Sequence, residues 1–441
     1  MEPWCDFFAG KRVTILGLGL LGRGIGDARF IASCGAAVTV TDKKTEEQLA
    51  DPVAALRGTG VTFHLGGHDT ADFTDTDMVI KGAGVRLDSP EIAAARAAGA
   101  PVYMSTALAA KFAREMGVRI VGVTGTRGKS TVTQMIYHAL ARAGKRAFLG
   151  GNVRGVSTLE LLPQLSTGDT LVLELDSWQL QGFGALQLSP EVSVFTNLMP
   201  DHQNYYPDME TYFSDKANIF RYQKAGDTLV CSRGIAETIR VAFPGNASLV
   251  PEPLPDGWQL KVIGAHNREN AALAAQALRA LDLNVDEVRD GLESFEPVEG
   301  RLQFVREVRG IQIYNDNNAT TPEATIAALR ALSDSSLAPH PSPLILIMGG
   351  ADKGLDPAAL LYEIATTCKR VILLAGTGTD RIVPFMQDYS IFDSLEAAVT
   401  EGVSSAQPGD TILFSPAFAS FGMFKNEYER NDRFLAAVNA L

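Results

Sequence analysis

Short apolar runs alternate with amphipathic stretches along almost the whole chain, in three successive series. The runs that predict strands in the first two series are Val13–Gly17, Ala37–Thr41, Met78–Lys81, Arg119–Thr124, Thr170–Leu175 and Val192–Asn197. Those of the third series are Ile311–Asn315, Leu344–Gly349, Val371–Ala375 and Thr411–Ser415. Most runs are apolar throughout, which is typical of parallel strands covered by helices on both faces. The alternation predicts βαβ units and doubly wound sheets.

Three series in a chain of 441 residues predict an α/β protein of three domains. The breaks fall near Met104–Thr106 and Glu296–Gly300, which gives domains at 1–105, 106–298 and 299–441. We expect a Rossmann-like first domain, a central domain with a mostly parallel sheet, and a Rossmann-like third domain.

Charge and cysteine usage narrow the class of protein. The formal net charge of −12 argues against a general nucleic-acid binder. Cys5, Cys34, Cys231 and Cys368 lie far apart, without the spacing of a metal site, and are interpreted as free thiols in a reducing compartment. The N-terminus lacks a signal peptide's apolar region, and no segment reaches the roughly 18 apolar residues of a membrane span. We therefore expect a soluble, cytoplasmic protein.

The sharpest motif lies between a predicted strand and a predicted helix, at Gly122–Thr131. Glycines there let backbone N–H groups surround an anion, and the helix N-terminus adds its dipole. Lys129 would reach the β- and γ-phosphates of a nucleotide, and Ser130 would face Mg²⁺. The strict pattern has glycine where this chain has Val123, so the loop is a variant. The alternative, a turn that binds nothing, is disfavoured by Gly-Lys-Ser-Thr in this context. The residues assigned to the nucleotide are Gly125, Thr126, Gly128, Lys129, Ser130 and Thr131.

Polar residues follow several predicted strands, where ligands of doubly wound sheets bind. Glu174 ends an apolar strand and would pair with a metal ion, although it could also turn to solvent. His202 follows Asp201 directly after another strand, and a structural role is as well supported as a functional one. Lys216, taken alone, would be an ordinary surface lysine. Loop-borne polar residues of the third series are Asn315, Asp316, Lys353, Ser415 and Ser420.

A second glycine-rich turn, Gly17–Gly22, follows the first strand, and Asp42 ends the next one. This is the fingerprint of a dinucleotide site. By itself it would suggest an NAD-dependent dehydrogenase. However, the turn suits any nucleotide diphosphate, and no dehydrogenase constellation accompanies it.

Taken together and in this order, the motifs resemble the Mur ligase family over essentially the whole chain, and among its branches most the MurD branch. The phosphate loop is similar to the family's ATP loop. The other motifs that carry the resemblance are Gly150–Asn152, Glu174–Leu180, Asp201–His202, Gly264–Leu273, Arg301, Tyr314–Thr321, Gly349–Lys353 and Ser415–Arg430.

The resemblance implies an ATP-dependent ligase that adds D-glutamate to UDP-N-acetylmuramoyl-L-alanine through an acyl phosphate, in peptidoglycan precursor synthesis. It implies ATP and two Mg²⁺ ions, with Ser130, Glu174, His202 and a carbamylated Lys216 as metal ligands. The residues that the resemblance implies for catalysis are Lys129, Lys216 and His202. The residues implied for the nucleotide, beyond the loop, are Asn267, Asn270, Arg301 and Asp316. Those implied for the UDP substrate are Leu20, Leu21, Asp42, Lys43, Lys44, Asn152 and Gln179. Those implied for glutamate are Thr320, Lys353, Ser420 and Phe421. We expect a monomer with no nucleic-acid partner.

Five positions depart from the MurD pattern, namely Asp176, Gly300, Asn318, Glu427 and Asn431. Most cluster around the acceptor, so they leave a ligase for L-glutamate or another amino acid open. A folylpolyglutamate or cyanophycin ligase would share the ATPase but not the separate glycine-rich first domain. A nucleotide-binding regulatory protein without catalysis is disfavoured, since Lys129, Glu174 and His202 are all present.

Overall fold

A computed structural model describes residues 2–18, 22–202, 205–245, 247–333 and 343–441. Within these ranges the strands form three sheets, all flanked by helices, which confirms the α/β class. All ten predicted strands are present, with ends that differ by up to three residues. In the part of the chain described, no helix is long and apolar enough to cross a membrane.

The first sheet is wholly parallel, with strand order β3-β2-β1-β4-β5, as expected of a Rossmann-like domain. Its strands are β1 Arg12–Leu16, β2 Ala37–Asp42, β3 Thr62–Leu65, β4 Met78–Lys81 and β5 Val102–Tyr103. Its helices are α1 Pro3–Phe8, α2 Arg23–Ser33, α3 Ala50–Ala55, α4 Ala71–Thr74 and α5 Pro90–Ala97. Strand order reverses between β1 and β4, and this switch point is where such sheets bind ligands.

The second sheet is also parallel, in the order β11-β10-β9-β6-β8-β7. Its strands are β6 Arg119–Thr124, β7 Ala147–Gly151, β8 Thr170–Glu174, β9 Val192–Phe195, β10 Thr228–Cys231 and β11 Ser248–Leu249. The helices of this stretch are α6 Ser105–Glu115, α7 Lys129–Arg142, a 3₁₀ turn Leu159–Gln164, α8 Ser177–Ala185, α9 Met209–Ala217, α10 Arg233–Ala242, α11 Ala265–Ala280 and α12 Val285–Glu293.

The third sheet is mixed, in the order β12-β13-β17-β14-β15-β16, because β12 runs antiparallel to β13. Its strands are β12 Gln303–Val308, β13 Ile311–Asn315, β14 Leu344–Gly349, β15 Cys368–Leu374, β16 Tyr389–Phe392 and β17 Thr411–Phe414. Its helices are α13 Pro322–Ser333, α14 Ala358–Thr367, α15 Thr377–Ile382, a 3₁₀ turn Val383–Phe385, α16 Leu395–Ser405 and α17 Glu427–Asn439.

Alternate residues of β14 show why this sheet needs helices on both faces. Leu346 packs into a core with Leu329 of α13 and Leu360 of α14. Its neighbour Ile347 packs into a separate core that contains Phe434 of α17. Successive side chains of a strand point to opposite faces, so an apolar strand must be covered twice.

The chain divides into two compact units. One comprises Met1–Glu252 and Asn270–Leu292, and the other comprises Pro253–Glu269 and Glu293–Leu441. One core cluster of the first unit contains residues of both its sheets, such as Ile15 of β1 and Leu173 of β8. The first unit therefore carries two sheets on a continuous core. The boundaries at 105/106 and 298/299 remain a prediction.

Two of the four cysteines form a disulfide, so the expectation that all four are free thiols is wrong for this pair. Cys5 of α1 is bonded to Cys34, the residue that ends α2, with their Cα atoms 4.6 Å apart. Their sequence separation of 29 gave no hint of this, because packing of the short first helix brings them together. Cys231 and Cys368 are free.

Candidate active site

The glycine-rich loop between β6 and α7 is held by the carboxyl end of the neighbouring strand β9. The N–H of Thr126 donates to the carbonyl of Asn197 at 2.9 Å, and that of Arg127 donates to its side-chain oxygen at 2.8 Å. Gly125 and Gly128 have φ values of 142° and 81°, which favour glycine. A methyl group on Gly125 would lie 1.9 Å from Oγ1 of Thr196, and one on Gly128 would lie 2.4 Å from Oδ1 of Asn270. The loop therefore needs both glycines, and the side chain of Asn270 lies beside it.

Two lysines converge on the carbonyl oxygen of Gly125. Nζ of Lys129, in the first turn of α7, donates to the carbonyls of Gly125 and Thr126 at 3.0 Å each. Nζ of Lys216, in the last turn of α9, donates to the same Gly125 oxygen at 2.8 Å. Lys216 is only 1% exposed, so the interpretation of an isolated surface lysine does not hold. Burial, reinforced by the charge of Lys129, lowers the pKa of Lys216 well below its ordinary value.

Glu174 is a buried carboxylate at the end of β8, in register with Val123 of β6 just before the loop. Its side chain accepts a hydrogen bond from Nδ2 of Asn152 at 3.2 Å, and its carbonyl accepts one from the N–H of Asn152 at 2.7 Å. Glu174 thus ends its strand inside the structure and does not turn out to solvent. No group of three or more His, Cys, Asp or Glu in the described ranges is arranged to hold a metal ion.

His202 adopts a left-handed backbone conformation, with φ of 53°, in the loop that follows β9. Its N–H donates to Oδ1 of Asp201 at 2.9 Å, and its ring lies 4.6 Å from that of Trp178. Burial lowers the pKa of His202, Asp201 opposes that shift, and the charges of Lys129 and Lys216 add to it. His202 therefore shares an electrostatic environment with the two lysines of the loop.

A cavity of about 360 Å³ opens in the first unit at the switch point of the first sheet. Its walls come from the glycine-rich turn after β1, the ends of β2 and β4, and the start of α6. Residues from the central stretch complete it, among them Thr158 and Gln179. Gln179 is buried, and its Nε2 donates to Oγ1 of Thr106 at 3.2 Å. A nucleotide-sized cavity therefore lies beside the glycine-rich turn and Asp42.

The residues predicted for the UDP moiety differ in whether they line this cavity. Both carboxylate oxygens of Asp42 accept backbone N–H groups, from Leu18 and from Lys44, at 3.0 Å each. Asp42 thereby fixes the turn, and a carboxylate oxygen can accept a further bond from a ligand. Lys44 lines the cavity, whereas the exposed Lys43 makes an ion pair with the half-buried Glu91 at 3.5 Å. Leu20 and Leu21 lie outside the described residues.

Three ionisable residues that line the cavity were not predicted as site residues from the sequence. Lys81 ends β4 almost fully buried, with Nζ donating to the carbonyls of Gly82, Ala83 and Val85, and burial lowers its pKa to about 8. Asp27 of α2 accepts from the Ser157 hydroxyl at 2.6 Å, and burial raises its pKa to about 6. Arg23, also of α2, lines the cavity too. The position of Lys81 at the end of an otherwise apolar strand was the sequence feature that could have marked it as a site residue.

In the second unit, the residues predicted for glutamate lie on three adjoining loops. Nζ of Lys353, after β14, donates to Oγ1 of Thr320, after β13, at 2.9 Å. The backbone of Ala351 pairs with that of Ala419, at 2.9 and 3.0 Å, which joins the Lys353 loop to the loop of Ser420. Ser420 is buried, whereas the neighbouring Phe421 is 64% exposed.

Asp316 is a buried carboxylate of this unit. Its oxygens accept the N–H of Leu302 at 3.0 Å and the hydroxyl of Ser415 at 2.9 Å. Burial raises the pKa of Asp316 to about 7, against the opposing effects of Ser415, Leu302 and Arg301. Asn267 donates from Nδ2 to the carbonyl of Ile263 at 2.9 Å. Of the four nucleotide residues outside the loop, Asn267, Arg301 and Asp316 therefore lie in the second unit and Asn270 in the first.

Arg430 of α17 was also missed, and it is fully buried. Its guanidinium donates to the side chain and the carbonyl of Asn317 at 2.8 Å each, and to the carbonyl of Phe418 at 3.2 Å. Burial lowers the pKa of Arg430 to about 10. The residue thereby ties the loop that carries Thr320 to the loop that carries Ser420.

Three departures from the MurD pattern share one contact cluster. Nδ2 of Asn431 donates to Glu299, and Nδ2 of Asn318 donates to the carbonyl of the same Glu299, at 2.6 and 3.3 Å. A methyl group on Gly300 would lie 3.1 Å from Asn318 and 3.2 Å from Asn431. A larger residue at 300 would crowd both amides, so these three substitutions fit one another. A fourth departure, Asp176, caps α8 by accepting the N–H of Gln179 at 2.7 Å.

The loop, its lysine and the helix that follows define a nucleotide-binding protein of the P-loop class. Models of three family domains match the chain: a Mur ligase MurD-like N-terminal domain at 11–104, a Mur ligase middle domain at 123–243, and a Mur ligase glutamate ligase domain at 300–418. The chain belongs to the Mur ligase family and is an ATP-dependent, amide-bond-forming ligase, a class of enzyme that uses ATP with Mg²⁺.

Relatives match over nearly their full length. The UDP-N-acetylmuramoylalanine–D-glutamate ligase of Roseiflexus sp. (strain RS-1) is 35% identical, covering 98% of this chain and 99% of the relative. The ligase of the same name from Anaeromyxobacter dehalogenans (strain 2CP-C) is 36% identical, with 96% of each chain covered.

Among solved structures, the UDP-N-acetylmuramate–alanine ligase MurC of Thermotoga maritima has a TM-score of 0.62 at 20% identity, covering 98% of this chain and 99% of that one. The MurF ligase of Thermotoga maritima in complex with ADP has a TM-score of 0.59 at 18% identity, covering 92% of this chain and 94% of that one. These two structures share the fold.

Proposed function

We propose that this ligase adds D-glutamate to UDP-N-acetylmuramoyl-L-alanine through an acyl-phosphate intermediate, in the synthesis of peptidoglycan precursors. The relatives that match along the whole chain carry this activity in their names. The observation that carries the proposal is the nucleotide-sized cavity in the same compact unit as the phosphate loop. A ligase that activates a nucleotide-linked carboxylate must bind the nucleotide end of one substrate molecule at the cavity and present its carboxylate at the phosphate loop, so the two sites must be close together.

The phosphate loop and Lys129 would bind the ATP phosphates. The loop's backbone and the N-terminus of α7 favour anions, and the Lys129 amine already lies over the loop carbonyls. A phosphoryl group in transfer carries spread negative charge, so fixed positive charge at this point lowers the barrier. Asn270, beside Gly128, would contact the same nucleotide.

The donors near the loop fit Mg²⁺. This ion commonly takes one or two carboxylates together with substrate phosphates and water. Glu174 is a buried carboxylate one strand away from the loop, and Ser130 adds a hydroxyl in the first turn of α7. When bound, Mg²⁺ would offset phosphate charge. We assign Glu174 and Ser130 as ligands of this Mg²⁺ ion, and His202 and Lys216 as ligands of a second Mg²⁺ ion.

Lys216 would serve as a carbamate. An ammonium group cannot bind a cation, whereas a carbamate supplies oxygens of the kind that Mg²⁺ prefers. Carbamate formation with CO₂ needs a neutral amine, and the burial of Lys216 beside Lys129 favours that form. The bond from its Nζ to Gly125 keeps this group at the phosphate loop.

The cavity of the first sheet would bind the UDP moiety, with Asp42, Lys44, Asn152 and Gln179 in contact with substrate, together with Leu20, Leu21 and Lys43. Lys353, Thr320, Ser420 and Phe421 would hold glutamate, and Asn267, Arg301 and Asp316 would contact the nucleotide. Charge-assisted hydrogen bonds suit a dicarboxylate, and Lys353 already donates to Thr320. We propose a cytoplasmic monomer.

A phosphate-release assay with ATP, Mg²⁺ and UDP-N-acetylmuramoyl-L-alanine tests the function, with D-glutamate and L-glutamate as separate acceptors. We expect release only with D-glutamate. Turnover with L-glutamate alone would contradict the stereochemistry, which the cluster of Gly300, Asn318 and Asn431 makes worth testing, and would leave the ligase intact. Calorimetry with UDP and NADH, in which we expect UDP alone to bind, separates the substrate cavity from a dinucleotide site.

A further inference from the structure

Arg23 stands in the first turn of α2, at the wall of the nucleotide-sized cavity. Its guanidinium reaches from this helix, which flanks the first sheet, to the end of β7 in the second sheet and to Asn152, the residue that follows β7. Nη1 donates to Oδ1 of Asn152 at 2.7 Å, and to the carbonyl of Gly151 at 3.4 Å. Arginine has five N–H donors, so the bond to Asn152 leaves others for a ligand in the cavity.

Asn152, which accepts the bond from Arg23, in turn donates hydrogen bonds to Glu174. Its backbone N–H and its Nδ2 both donate to Glu174, at 2.7 Å to the carbonyl and 3.2 Å to the carboxylate. An asparagine side chain has one acceptor end and one donor end. Because Arg23 binds the acceptor end, the donor end faces the carboxylate. A flipped amide would point oxygen at oxygen and leave a buried carboxylate without this donor.

We propose that Arg23 is a positioning residue that joins the nucleotide-sized cavity to the Glu174 carboxylate through Asn152. This inference rests on the proposed function, which assigns Glu174 to Mg²⁺. The three residues form an unbroken chain of hydrogen bonds from the cavity wall to the strand end beside the phosphate loop. Partners that orient a metal ligand typically change metal affinity by about 10- to 100-fold.

A second arginine on the same helix provides a matched control. Arg29 of α2 also contacts the part of the chain that forms the second sheet and its helices. It makes an ion pair at 3.3 Å with Glu160 of the 3₁₀ turn Leu159–Gln164. This pair is partly exposed, with 49% and 34% of the two side chains accessible. Arg29 therefore reproduces the charge, the helix and the bridging contact of Arg23, without the connection to Glu174.

The test measures binding of Mn²⁺, a spectroscopic substitute for Mg²⁺, by paramagnetic resonance. The full-length protein is mixed with a non-hydrolysable ATP analogue and no amino acid. We expect Arg23→Met to weaken Mn²⁺ binding by about tenfold, as for other partners of metal ligands. Arg23→Lys should recover part of this loss, and Arg29→Met should leave the affinity unchanged. In an Asn152→Ala background, Arg23→Met should have little further effect, because the connection is already broken.

Two results would overturn the inference. One is an equal loss in Arg23→Met and Arg29→Met, which would indicate a general effect of the contact between layers. The other is a full additional loss in the Asn152→Ala background, which would place the action of Arg23 elsewhere. Failure of the unsubstituted protein to bind Mn²⁺ with the nucleotide would overturn the metal assignment and this inference together. Normal binding there with an unchanged Arg23→Met variant would overturn the inference alone.

Discussion

Lys353 donates a hydrogen bond to the hydroxyl of Thr320 at 2.9 Å, although 33 residues separate them in the chain. The bond joins two loops that follow different strands of the third sheet. It places an ammonium group and a hydroxyl side by side, an arrangement suited to a carboxylate. This pair is the strongest geometric support for an acceptor pocket in the second unit.

We expect Lys353→Ala to raise the KM for glutamate by about tenfold or more, because a charge-assisted contact is lost. The KM for ATP should change much less. Initial-rate kinetics with each substrate varied in turn would measure both. Lys261→Ala is the control, since Lys261 makes an exposed pair with Glu296 in the same unit. Parallel rises in both KM values would contradict a role specific to the acceptor.

Apolar patterning predicted the centre of each sheet better than its edges. Strands such as β14 are buried along their whole length and read as unbroken apolar runs. The missed strands include β3 and β16, in which exposed and half-buried residues alternate, and β5, which has only two residues. Edge strands contact one neighbouring strand and bury less surface, so their sequences carry a weaker signal.

The glycine-rich loop between β6 and α7 was recognisable in the sequence because its pattern lies in consecutive residues. The contacts of Arg23 with Asn152 and of Arg430 with Asn317 join residues 129 and 113 apart in sequence. Such pairs arise when helices pack on sheets, and no local spacing encodes them. The disulfide of Cys5 was missed for the same reason.

Lys129→Ala should reduce phosphate release by about a hundredfold or more, because stabilisation of transition-state charge is lost. A coupled assay with all substrates saturating would measure the rate. Arg142→Ala is the control, since Arg142 lies in the last turn of the same helix and pairs with Asp290 at the surface. A Lys129→Ala rate within a few-fold of the unsubstituted enzyme would show that this loop is not the catalytic phosphate site.

Lys216→Ala should be nearly inactive, because the proposed carbamate oxygens are missing. Acetate or another small carboxylate should restore part of the rate by supplying an oxygen ligand. The assay compares rates across an acetate titration, with Lys129→Ala as the variant that acetate should not rescue. A fully active Lys216→Ala enzyme would exclude the carbamate, and inactivity without rescue would favour a purely structural role for this buried lysine.

Asp27 should make the stability of the first unit depend on pH. Burial raises its folded pKa from 3.8 to about 6, so the protonated form is favoured by folding. Its contribution is fully present below the unfolded pKa and is lost as pH rises through about 6. A shift of about two units corresponds to about 3 kcal/mol.

Asp27→Asn keeps an acceptor for the Ser157 hydroxyl and removes the titration. We therefore expect this variant to match the unsubstituted protein near pH 4 and to be more stable by about 3 kcal/mol at pH 8. Urea unfolding of both proteins at several pH values measures the difference, in which the titrations of all other groups cancel. Asp290→Asn, at an exposed ion pair, should show no such rise. A constant difference across this range would mean that Asp27 is ionised throughout, held by Arg23 and the Ser157 hydroxyl against the cost of its burial.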